Sequence, residues 1–346
     1  MPVTVVVGGQ YGSEGKGKVS YLVARETGAG VAVRVGGPNS GHTVVENGRR
    51  TILRQLPTAA LLSDVLCVLP AGSYVDVSLL LTEIQALELP PSRLVIDRRA
   101  CLVTPEAKRI EAEGDLRSRI GSTLSGTGAA VSARVARIDP VMFAEDDPRL
   151  APYLDDAISV LRGIRTERIV IEGTQGIGLS VLHSPEFPFV TSRETSAAGA
   201  LSETGLSPLD VDEIVLVLRA FPIRVGGHSG ELKAETTWET VKRMGSHDHD
   251  LTEYTSVTGR VRRVAQFDPE IVRRAIAINA PTTVVMNHLD YVDHESCELG
   301  AITERTVAFL EEVESAIGRR IDLLGLGPNS LVERVSLVTR ASSVAS

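Results

Sequence analysis

Short apolar runs alternate along this chain with amphipathic stretches. The apolar runs predict buried strands at 3–8, 31–35, 66–70, 94–96, 168–172, 214–218 and 283–287. The amphipathic stretches predict helices at 17–27, 75–88, 151–163, 269–279 and 303–317. Such alternation is typical of an α/β fold with a mainly parallel central sheet flanked by helices. Because no repeat or clear linker interrupts the pattern, we expect a single domain over residues 1–346, with loop insertions.

Two polar, glycine-bearing stretches break the pattern, at 114–130 and 245–259. Both predict surface loops, where binding residues tend to gather.

Composition narrows the function. The chain has 346 residues, 43% of them hydrophobic, which suits a sizeable core. No apolar run approaches the ~20 residues of a membrane span, and no basic region precedes the first strand, so we expect neither a membrane segment nor a secretory signal. The net charge of −8 argues against nucleic-acid binding. Three widely separated cysteines lack metal-ligand spacing and favour a reducing, cytoplasmic location.

The segment 5–20, VVVGGQYGSEGKGKVS, combines a strand, a glycine-rich turn and a helix start, which is typical of an anion site. Its Gly12-x4-Gly17-Lys18 spacing is most of a P-loop, but Val19 stands where a hydroxyl would bind magnesium. Only five of the 36 basic residues are lysines, and two of them, Lys16 and Lys18, lie here. We therefore predict a P-loop-like phosphate-binding loop.

Two further motifs follow predicted strands, at the sheet edge where α/β proteins bind ligands. GGPNSGHT at 36–43 offers His42 as a general acid, and EGTQG at 172–176 offers the neutral amide of Gln175. TGRVRR at 258–263 is either a solvated basic turn or a clamp for carboxylate and phosphate.

Three motifs in the second half have weaker signals. HDHD at 247–250 is more typical of a solvated turn than of a metal site. NHLD at 287–290 is similar to the Asn-Lys-x-Asp guanine-recognition motif of GTPases, with His288 in place of lysine. GLGP at 325–328 is either a second loop touching the same base or only a turn.

Taken in order, these motifs closely resemble those of the adenylosuccinate synthetase family. The resemblance implies a ligase that phosphorylates the 6-oxygen of a purine nucleotide, after which the amine of aspartate displaces phosphate. Phosphoryl transfer needs positioning and charge neutralisation above all, here from Mg²⁺, loop amides and lysines. The resemblance also implies a homodimer in which Arg137 reaches the neighbouring site.

The resemblance implies three binding sites. The triphosphate site comprises Gly12, Ser13, Glu14, Gly15, Lys16, Gly17, Lys18, Gly41, His42, Thr43, His288, Asp290, Gly325 and Gly327. The nucleotide monophosphate site comprises Ser13, Asn39, Ser122, Thr123, Arg137, Gln175, Thr191, Val225 and Arg260. The aspartate site comprises Val257, Thr258, Arg260 and Arg262. Ser13, His42 and Gln175 are the implied catalytic residues, and Ser13 with the carbonyl of Gly41 would bind Mg²⁺.

The chain departs from the family at Ser13, where ordinary members have the aspartate that removes the purine N1 proton. Serine cannot be that base unaided, so the chain is either an impaired homologue or an enzyme with a changed substrate. The bacteriophage 2-aminoadenylosuccinate synthetases resemble this family, carry serine here and act on dGMP. The resemblance therefore implies a ligase joining dGMP to L-aspartate, with an ordinary IMP-dependent synthetase as the alternative.

Two more departures bear on the ligands. His288 removes the lysine that supports guanine recognition, which favours ATP or dATP over GTP as phosphoryl donor. Ser125 stands where the family usually has an arginine for aspartate. Outside the ligase class, a GTP-binding switch is disfavoured by Val19, whereas a nucleotide-binding regulator without catalysis stays open.

Overall fold

A ten-stranded sheet forms the centre of the computed structural model, which describes residues 2–138, 140–164, 166–255 and 259–334. Seven further strands form three smaller sheets. In chain order, the strands of the described residues are β1 (Val3–Gly8), β2 (Val31–Arg34), β3 (His42–Glu46), β4 (Arg49–Leu53), β5 (Leu66–Leu69), β6 (Tyr74–Val75), β7 (Leu94–Asp97), β8 (Cys101–Leu102), β9 (Leu154–Asp155), β10 (Ile169–Glu172), β11 (Val211–Arg219), β12 (Ile223–Val225), β13 (Glu235–Thr236), β14 (Arg262–Ala265), β15 (Thr283–Asn287), β16 (Leu323–Gly327) and β17 (Ser330–Glu333).

Helices connect and flank the strands. They are α1 (Lys16–Thr27), α2 (Val77–Ala86), α3 (Pro105–Glu113), α4 (Leu116–Ile120), α5 (Thr127–Ala136), α6 (Ala157–Gly163), α7 (Ala197–Thr204), α8 (Trp238–Met244), α9 (Pro269–Asn279), α10 (His294–Leu299) and α11 (Glu304–Ile317). Within the described ranges, none of these helices combines the length and apolar character that crossing a bilayer requires.

The sheet has the strand order β17-β16-β15-β11-β1-β10-β2-β5-β7-β9. Every pair in it is parallel except the antiparallel pair of β16 and β17. The predicted α/β class with a mainly parallel sheet is therefore confirmed. The central strands are apolar on both faces because helices cover both, and β1 is buried along its whole length.

The register brings the carboxyl ends of five strands to one edge. These ends are Gly8, Arg34, Glu172, Arg219 and Asn287, and Glu172 lies opposite Arg34 in the ladder as Arg219 lies opposite Asn287. This edge is where parallel sheets bind ligands, and the segments that continue from it carry the motifs described above.

Two predicted elements were wrong in detail. Residues 151–163 form no single helix: a 3₁₀ segment over Pro148–Tyr153 and strand β9 come first, and α6 begins only where Asp156 accepts hydrogen bonds from the amides of Ile158 and Ser159.

The stretch 114–130 is not a loop throughout, because α4 and the start of α5 lie in it. The buried carboxylate of Glu111, on α3, accepts hydrogen bonds from the amides of Gly126 and Gly128 and so stabilises the first turn of α5 from outside. Nothing in the local sequence indicates this cap. Four other helices, α3, α7, α8 and α10, were also not predicted from the apolar pattern.

Candidate active site

The phosphate loop joins β1 to α1 and is stabilised from within by Glu14. One oxygen of this buried carboxylate accepts hydrogen bonds from the amides of Gln10 (3.1 Å) and Gly12 (2.8 Å). The other accepts one from the ammonium of Lys16 (2.5 Å). The Glu14 side chain thus points into the loop, which leaves its backbone for the predicted triphosphate site. Repulsion between two anions also favours this inward position.

Ser13 lies at the exposed tip of the loop on a fixed backbone. Gly12, Ser13 and Gly15 all have positive φ angles, of 89°, 57° and 93°. The Ser13 carbonyl accepts a hydrogen bond from Arg219 (3.1 Å), and the next carbonyl, that of Glu14, accepts one from Asn287 (2.8 Å). A succession of such backbone conformations turns amide groups toward one concave face, which suits a phosphate.

Lys18 connects the phosphate loop to the far end of the chain. Its ammonium donates to the carbonyls of Gly327 (3.0 Å) and Ser330 (3.2 Å), in the turn between β16 and β17. Burial lowers the pKa of Lys18 to about 8, although the nearby charge of Asp290 opposes this shift. Of the two scarce lysines, Lys16 is therefore ion-paired inside the loop, and Lys18 lies between the loop and the turn that joins β16 to β17.

His42 begins β3 and pairs with a carboxylate that the sequence motifs did not single out. Its Nδ1 lies 2.5 Å from Oε1 of Glu172, the last residue of β10, so Nδ1 carries the proton and Nε2 is left for a substrate. The Glu172 carboxylate also accepts from Arg34 and from the amide (2.8 Å) and hydroxyl (2.5 Å) of Thr58.

The charges in this group determine its protonation. Burial, aided by the charge of Arg34, lowers the pKa of His42 to about 4. Burial alone would raise the pKa of Glu172, but the charges of Arg34 and His42 lower it to about 2. At neutral pH the pair is thus a neutral imidazole on an ionised carboxylate. A phosphoryl dianion near Nε2 would raise the pKa of His42 and enable it to act as an acid.

Gly17 allows α1 to lie against this pair. A Cβ atom at Gly17 would lie 2.6 Å from the Cβ of His42 and 2.9 Å from the Cγ2 of Thr58. The hydroxyl of Thr58 lies 2.9 Å from the Gly17 carbonyl. The phosphate loop and the imidazole are therefore in direct contact, as their predicted shared role requires.

Among the described residues, two members of the predicted monophosphate site have a buried side-chain oxygen without a hydrogen-bond partner. The amide of Asn39 donates weakly to the hydroxyl of Thr191 (3.4 Å). Within the described ranges, neither Oδ1 of Asn39 nor Oε1 of Gln175 has a hydrogen-bond partner, although both atoms are buried. Gln175 has a positive φ of 55°, so the chain turns sharply at this residue, three positions after the end of β10. Buried polar atoms without partners mark positions where a ligand can complete the bonding.

The structure also brings Ser122 and Thr123 toward Val225. Both are half-buried, and a Cβ atom at the preceding Gly121 would lie 3.0 Å from Cβ of Ser229, whose hydroxyl donates to the Val225 carbonyl. Arg137, by contrast, is exposed where α5 ends. Its predicted contact with a neighbouring subunit stays a prediction.

The NHLD and GLGP segments lie side by side. A Cβ atom at Gly325 would overlap Oδ1 of Asn287 and lie 2.7 Å from the ammonium of Lys18, so only glycine fits there. Burial raises the pKa of Asp290 to about 6, although Lys18 opposes the shift, and burial with the charge of Arg219 lowers the pKa of His288 well below its usual range. The predicted common site for these two segments is consistent with this geometry.

The TGRVRR segment is only partly described. Val257 and Thr258, predicted to bind aspartate, lie outside the described residues. Arg262 begins β14 and donates to Glu253 (2.8 Å), and the amide of the half-buried Arg260 donates to the hydroxyl of Thr255 (3.0 Å). Ser125 is buried and lies 3.0 Å from the hydroxyl of Thr127, so it supplies no charge for aspartate.

The histidines of HDHD form a cluster with His294. The ring centroid of His247 lies 5.2 Å from that of His249 and 4.8 Å from that of His294. Among the described residues, no group of three or more His, Cys, Asp or Glu side chains could hold a metal ion. The preference for a turn over a metal site at this position stays a prediction.

Comparison with known proteins identifies the family. The profile of the adenylosuccinate synthetases matches residues 5–144 and 141–304 of this chain. The chain belongs to the adenylosuccinate synthetase family. Two archaeal adenylosuccinate synthetases, from Pyrococcus sp. (strain ST700) and Pyrococcus horikoshii, are 34% and 35% identical to it over 337 residues, covering 95% of this chain and 96% of theirs.

Solved structures of adenylosuccinate synthetases and their relatives have the same fold. The fully ligated enzyme from Plasmodium falciparum superposes with a TM-score of 0.86 at 19% identity, covering 96% of this chain and 99% of that one. The succinoaminodeoxyadenylate synthetase of cyanophage S-2L, bound to dGMP and to dATP as energy donor, superposes with a TM-score of 0.82 at 27% identity, covering 99% of both chains.

Membership of the adenylosuccinate synthetase family establishes the reaction class. The protein is a nucleotide-binding carbon–nitrogen ligase of purine biosynthesis, which confirms the predicted enzyme class over a switch protein or a regulator. The family acts on a nucleotide and aspartate, uses Mg²⁺ and a nucleoside triphosphate, and has dimeric members.

The magnesium ligands expected in an adenylosuccinate synthetase were tested against the residues present. The exposed hydroxyl of Ser13 and the half-buried Gly41 are neutral oxygen donors, and Mg²⁺ prefers oxygen. Because Glu14 points inward, the loop offers the ion no carboxylate. This donor set fits an ion whose charge is balanced mainly by triphosphate oxygens.

Sequence reasoning missed three charged residues of the site, Glu172, Arg219 and Glu253. The first two are the last residues of buried strands in this adenylosuccinate synthetase fold, where a charge is rare unless it has a partner or a function. That position was the available signal. Glu253 lies in a polar loop, and nothing in the local sequence distinguishes it from a solvated glutamate.

Proposed function

We propose that this enzyme joins dGMP to L-aspartate at C6 of the purine, through a 6-phosphoryl intermediate and with ATP or dATP as phosphoryl donor. The product is 2-amino-2′-deoxyadenylosuccinate, on the route to 2-aminoadenine DNA. The observation that carries this proposal is serine at position 13, at the exposed tip of a loop whose backbone is fixed by Arg219 and Asn287.

The physical reason lies in the 2-amino group, which distinguishes guanine from hypoxanthine and is adjacent to N1. An aspartate held against N1 would crowd this group. A serine is shorter and neutral, and its hydroxyl can accept a hydrogen bond from the amino group. Because the Ser13 backbone is fixed, the difference in side-chain length becomes a difference in space for the substrate.

The two groups of relatives support different substrates. The cyanophage S-2L synthetase, at 27% identity, was solved with dGMP and dATP bound. The archaeal relatives, at 34–35% identity, are adenylosuccinate synthetases. The second candidate is therefore an ordinary adenylosuccinate synthetase acting on IMP with GTP. Ser13 favours the first candidate.

The donor proposal rests on His288 and Asp290. Burial and the charge of Arg219 lower the pKa of His288, which favours a neutral ring in the position of the cationic lysine of the guanine-recognition motif. Asp290 can accept a hydrogen bond from the 6-amino group of adenine when it is ionised. The neutral His288 supports ATP or dATP over GTP, whereas Asp290 can accept from adenine as readily as from guanine.

The chemistry requires a phosphoryl transfer and a displacement. The 6-oxygen takes the γ-phosphoryl group as N1 loses its proton; the aspartate amine then forms the C6–N bond, and phosphate leaves with the 6-oxygen. Loop amides, Lys16 and Lys18 neutralise the phosphate charge, Nε2 of His42 donates a proton to the transferred group, and Gln175 holds the 6-oxygen. Magnesium, held by Ser13 and Gly41, would neutralise phosphate charge. Ser13 is no base at neutral pH, so the N1 proton passes to another group, either directly or through a bound water that relays it.

The site is completed across a dimer in this proposal, by Arg137 of the neighbouring subunit. Arg137 is exposed, and two apolar side chains beside it, Val135 and Ile138, are 73% and 60% exposed, as expected of a surface that a partner covers. Mixing inactive Arg137→Ala chains with inactive Lys18→Ala chains should restore activity, because a mixed dimer contains one intact site. No recovery after verified subunit exchange would place Arg137 outside the partner's site.

The test of the substrate is a panel of purine nucleotides. With Mg²⁺, aspartate and ATP, the enzyme should convert dGMP in preference to GMP and IMP, as followed in the purine spectrum. The Ser13→Asp variant should then shift the ratio of activities from dGMP toward IMP by roughly 10–200-fold, the usual effect of one added group at a close contact. A ratio that stays constant while both activities change together would assign Ser13 only a magnesium-binding or structural role.

A further inference from the structure

One carboxylate, that of Glu253, receives hydrogen bonds from three side chains on three different elements. Arg219 donates to both of its oxygens, from Nη2 at 2.5 Å and from Nη1 at 3.3 Å. Arg262 donates to Oε2 (2.8 Å), and the hydroxyl of Tyr291 donates to Oε1 (3.1 Å). All acceptor directions of this carboxylate are in use, so its position is determined from three sides.

Each donor belongs to a different part of the site. Arg219 ends β11 and also donates to the carbonyl of Ser13 (3.1 Å), in the phosphate loop. Arg262 begins β14 and is predicted to bind aspartate. Tyr291 follows the NHLD motif, and its ring centroid lies 5.1 Å from that of His288. A continuous chain of bonds therefore runs from Arg262 through Glu253 and Arg219 to Ser13.

Among the described residues, the guanidinium of Arg262 is bonded at Nη1 and unpaired at Nε. Its Nη1 bonds Glu253, whereas its Nε is buried and has no hydrogen-bond partner in the part of the chain that the structure describes. Nε and Nη2 together form the side-on edge of a guanidinium, which matches the two oxygens of a carboxylate. With Nη1 fixed, this edge has one orientation, and an aspartate carboxylate can meet it in bidentate fashion.

Electrostatics explains why Glu253 can hold this position. Burial would raise its pKa, but Arg219, His288 and Arg262 lower it far below the usual range, so the carboxylate is ionised at neutral pH. Two arginines converge on it, and without it their like charges would repel each other in a buried site.

We propose that Glu253 is a positioning residue. It orients Arg262 so that the Nε–Nη2 edge meets the aspartate substrate, and through Arg219 it links aspartate binding to the position of the Ser13 loop. This inference rests on the proposed role of Arg262 in binding aspartate, but it does not depend on whether the purine is dGMP or IMP.

The first test is Glu253→Gln, with Glu235→Gln as the matched control. Glu235, on β13, forms an ion pair (2.6 Å) with Arg263, which follows Arg262 on β14. Both of these side chains are partly exposed. The Glu253→Gln variant should raise KM for aspartate about 10–100-fold, with kcat within about tenfold of wild type, because a misdirected guanidinium loses a charge-assisted bidentate contact. The control should leave both constants unchanged.

Two other roles for Glu253 predict different effects of Glu253→Gln on KM for aspartate. If the carboxylate served only to stabilise the fold, the variant would have fewer active molecules, which lowers kcat and leaves KM unchanged. If only its negative charge mattered, its removal would strengthen the attraction of Arg262 for aspartate and lower KM. Either result would overturn the proposal.

The second test measures the link to the Ser13 loop at equilibrium. Affinity for the purine nucleotide is measured with and without saturating succinate, which has both carboxylates of aspartate but no amine to react. Wild type should show a difference of about fivefold or more, and Glu253→Gln should show none. An equal difference in both proteins would contradict the link.

A third variant covers the case in which Glu253→Gln does not fold. Glu253→Asp keeps the buried charge but is shorter by one methylene, so it cannot reach Arg219 and Arg262 together. It should raise KM for aspartate in the same direction by a smaller factor, and an unchanged KM in a folded protein would overturn the proposal. All measurements are made with dGMP and with IMP. Turnover of IMP alone would reject the proposed substrate while still testing Glu253.

Discussion

The phosphoryl side and the purine side of the site differ in how their polar groups are satisfied. On the phosphoryl side, Glu172 has partners for both oxygens, in Arg34, His42 and Thr58. On the purine side, among described residues, the side-chain oxygens of Asn39 and Gln175 are buried without partners.

This difference separates groups that are already hydrogen-bonded within the protein from groups that a ligand can bond. A carboxylate bonded through both oxygens holds its partners in place before the reaction, so that little reorganisation is needed when charge develops. A buried amide oxygen without a partner lowers stability until a ligand donates to it. Substitutions on the phosphoryl side should therefore affect turnover and stability, and substitutions on the purine side should affect mainly binding.

The largest expected effect is that of His42→Asn. Turnover should fall by roughly 10²–10⁴-fold, because the variant lacks the acid at the transferred group, while the nucleotide dissociation constants stay within a few-fold. His183→Asn, at a 40% exposed histidine, is the control. If the dissociation constant for the nucleotide rose in step with the loss of rate, His42 would be a binding residue.

Glu172→Gln should unfold more easily by about 3–5 kcal/mol, because it leaves the buried charge of Arg34 unpaired. Denaturant titration without substrates measures this change. Glu145→Gln, which removes an exposed ion pair with Arg99, should change stability by less than about 1 kcal/mol. Similar values for the two variants would contradict a dominant role of the buried network.

Acid should weaken the same network. The folded state lowers the pKa of His42 from 6.5 to about 4, so the unfolded state binds more protons between these values. The contribution of His42 is therefore fully present above pH 6.5 and is lost as pH falls to 4, by about 3 kcal/mol. Glu172 adds a further loss as pH falls from 4.5 toward 2. Unfolding free energies of His42→Asn should lack the first of these decreases.

The smallest effect is expected on the purine side. Asn39→Ala should raise KM for the purine nucleotide about tenfold, since it removes one hydrogen-bonding group from the ligand. Its free energy of unfolding should stay within about 1 kcal/mol of wild type, because a buried oxygen without a partner is removed as well. A loss of stability as large as that of Glu172→Gln would abolish the contrast between the two sides.

Local sequence signals predicted seven of the ten strands of the central sheet, because a buried parallel strand needs a continuous apolar run wherever it lies. They missed β9, β16 and β17 and the strands of the smaller sheets. The core strands β1, β10 and β15 lie where the pattern puts them. The start of α5 was not predictable, because Gly126 and Gly128 weaken a helix locally and the stabilising carboxylate of Glu111 comes from another helix.

In the candidate site, too, local sequence signals were informative, whereas features that depend on distant residues were not predictable. Motifs singled out the glycine-rich loop and His42, which the structure places in contact, since glycines and a histidine at strand ends have a local explanation. The direction of a side chain depends on partners that are distant in sequence. Glu14 points into the loop because it pairs with Lys16, and Glu253 acquires its position only from Arg219, Arg262 and Tyr291.

Two contacts of the phosphate loop close very long stretches of chain. The ammonium of Lys18 reaches a carbonyl 309 residues away, and the carbonyl of Ser13 is held by an arginine 206 residues away. Contacts at such separations carry a large loop-closure entropy and form late in folding. A nascent chain therefore has its phosphate motif complete near its start but cannot assemble the loop until nearly all of it has been synthesised. Catalytic activity in this protein reports that the last strands have docked, which makes it a sensitive assay for complete folding.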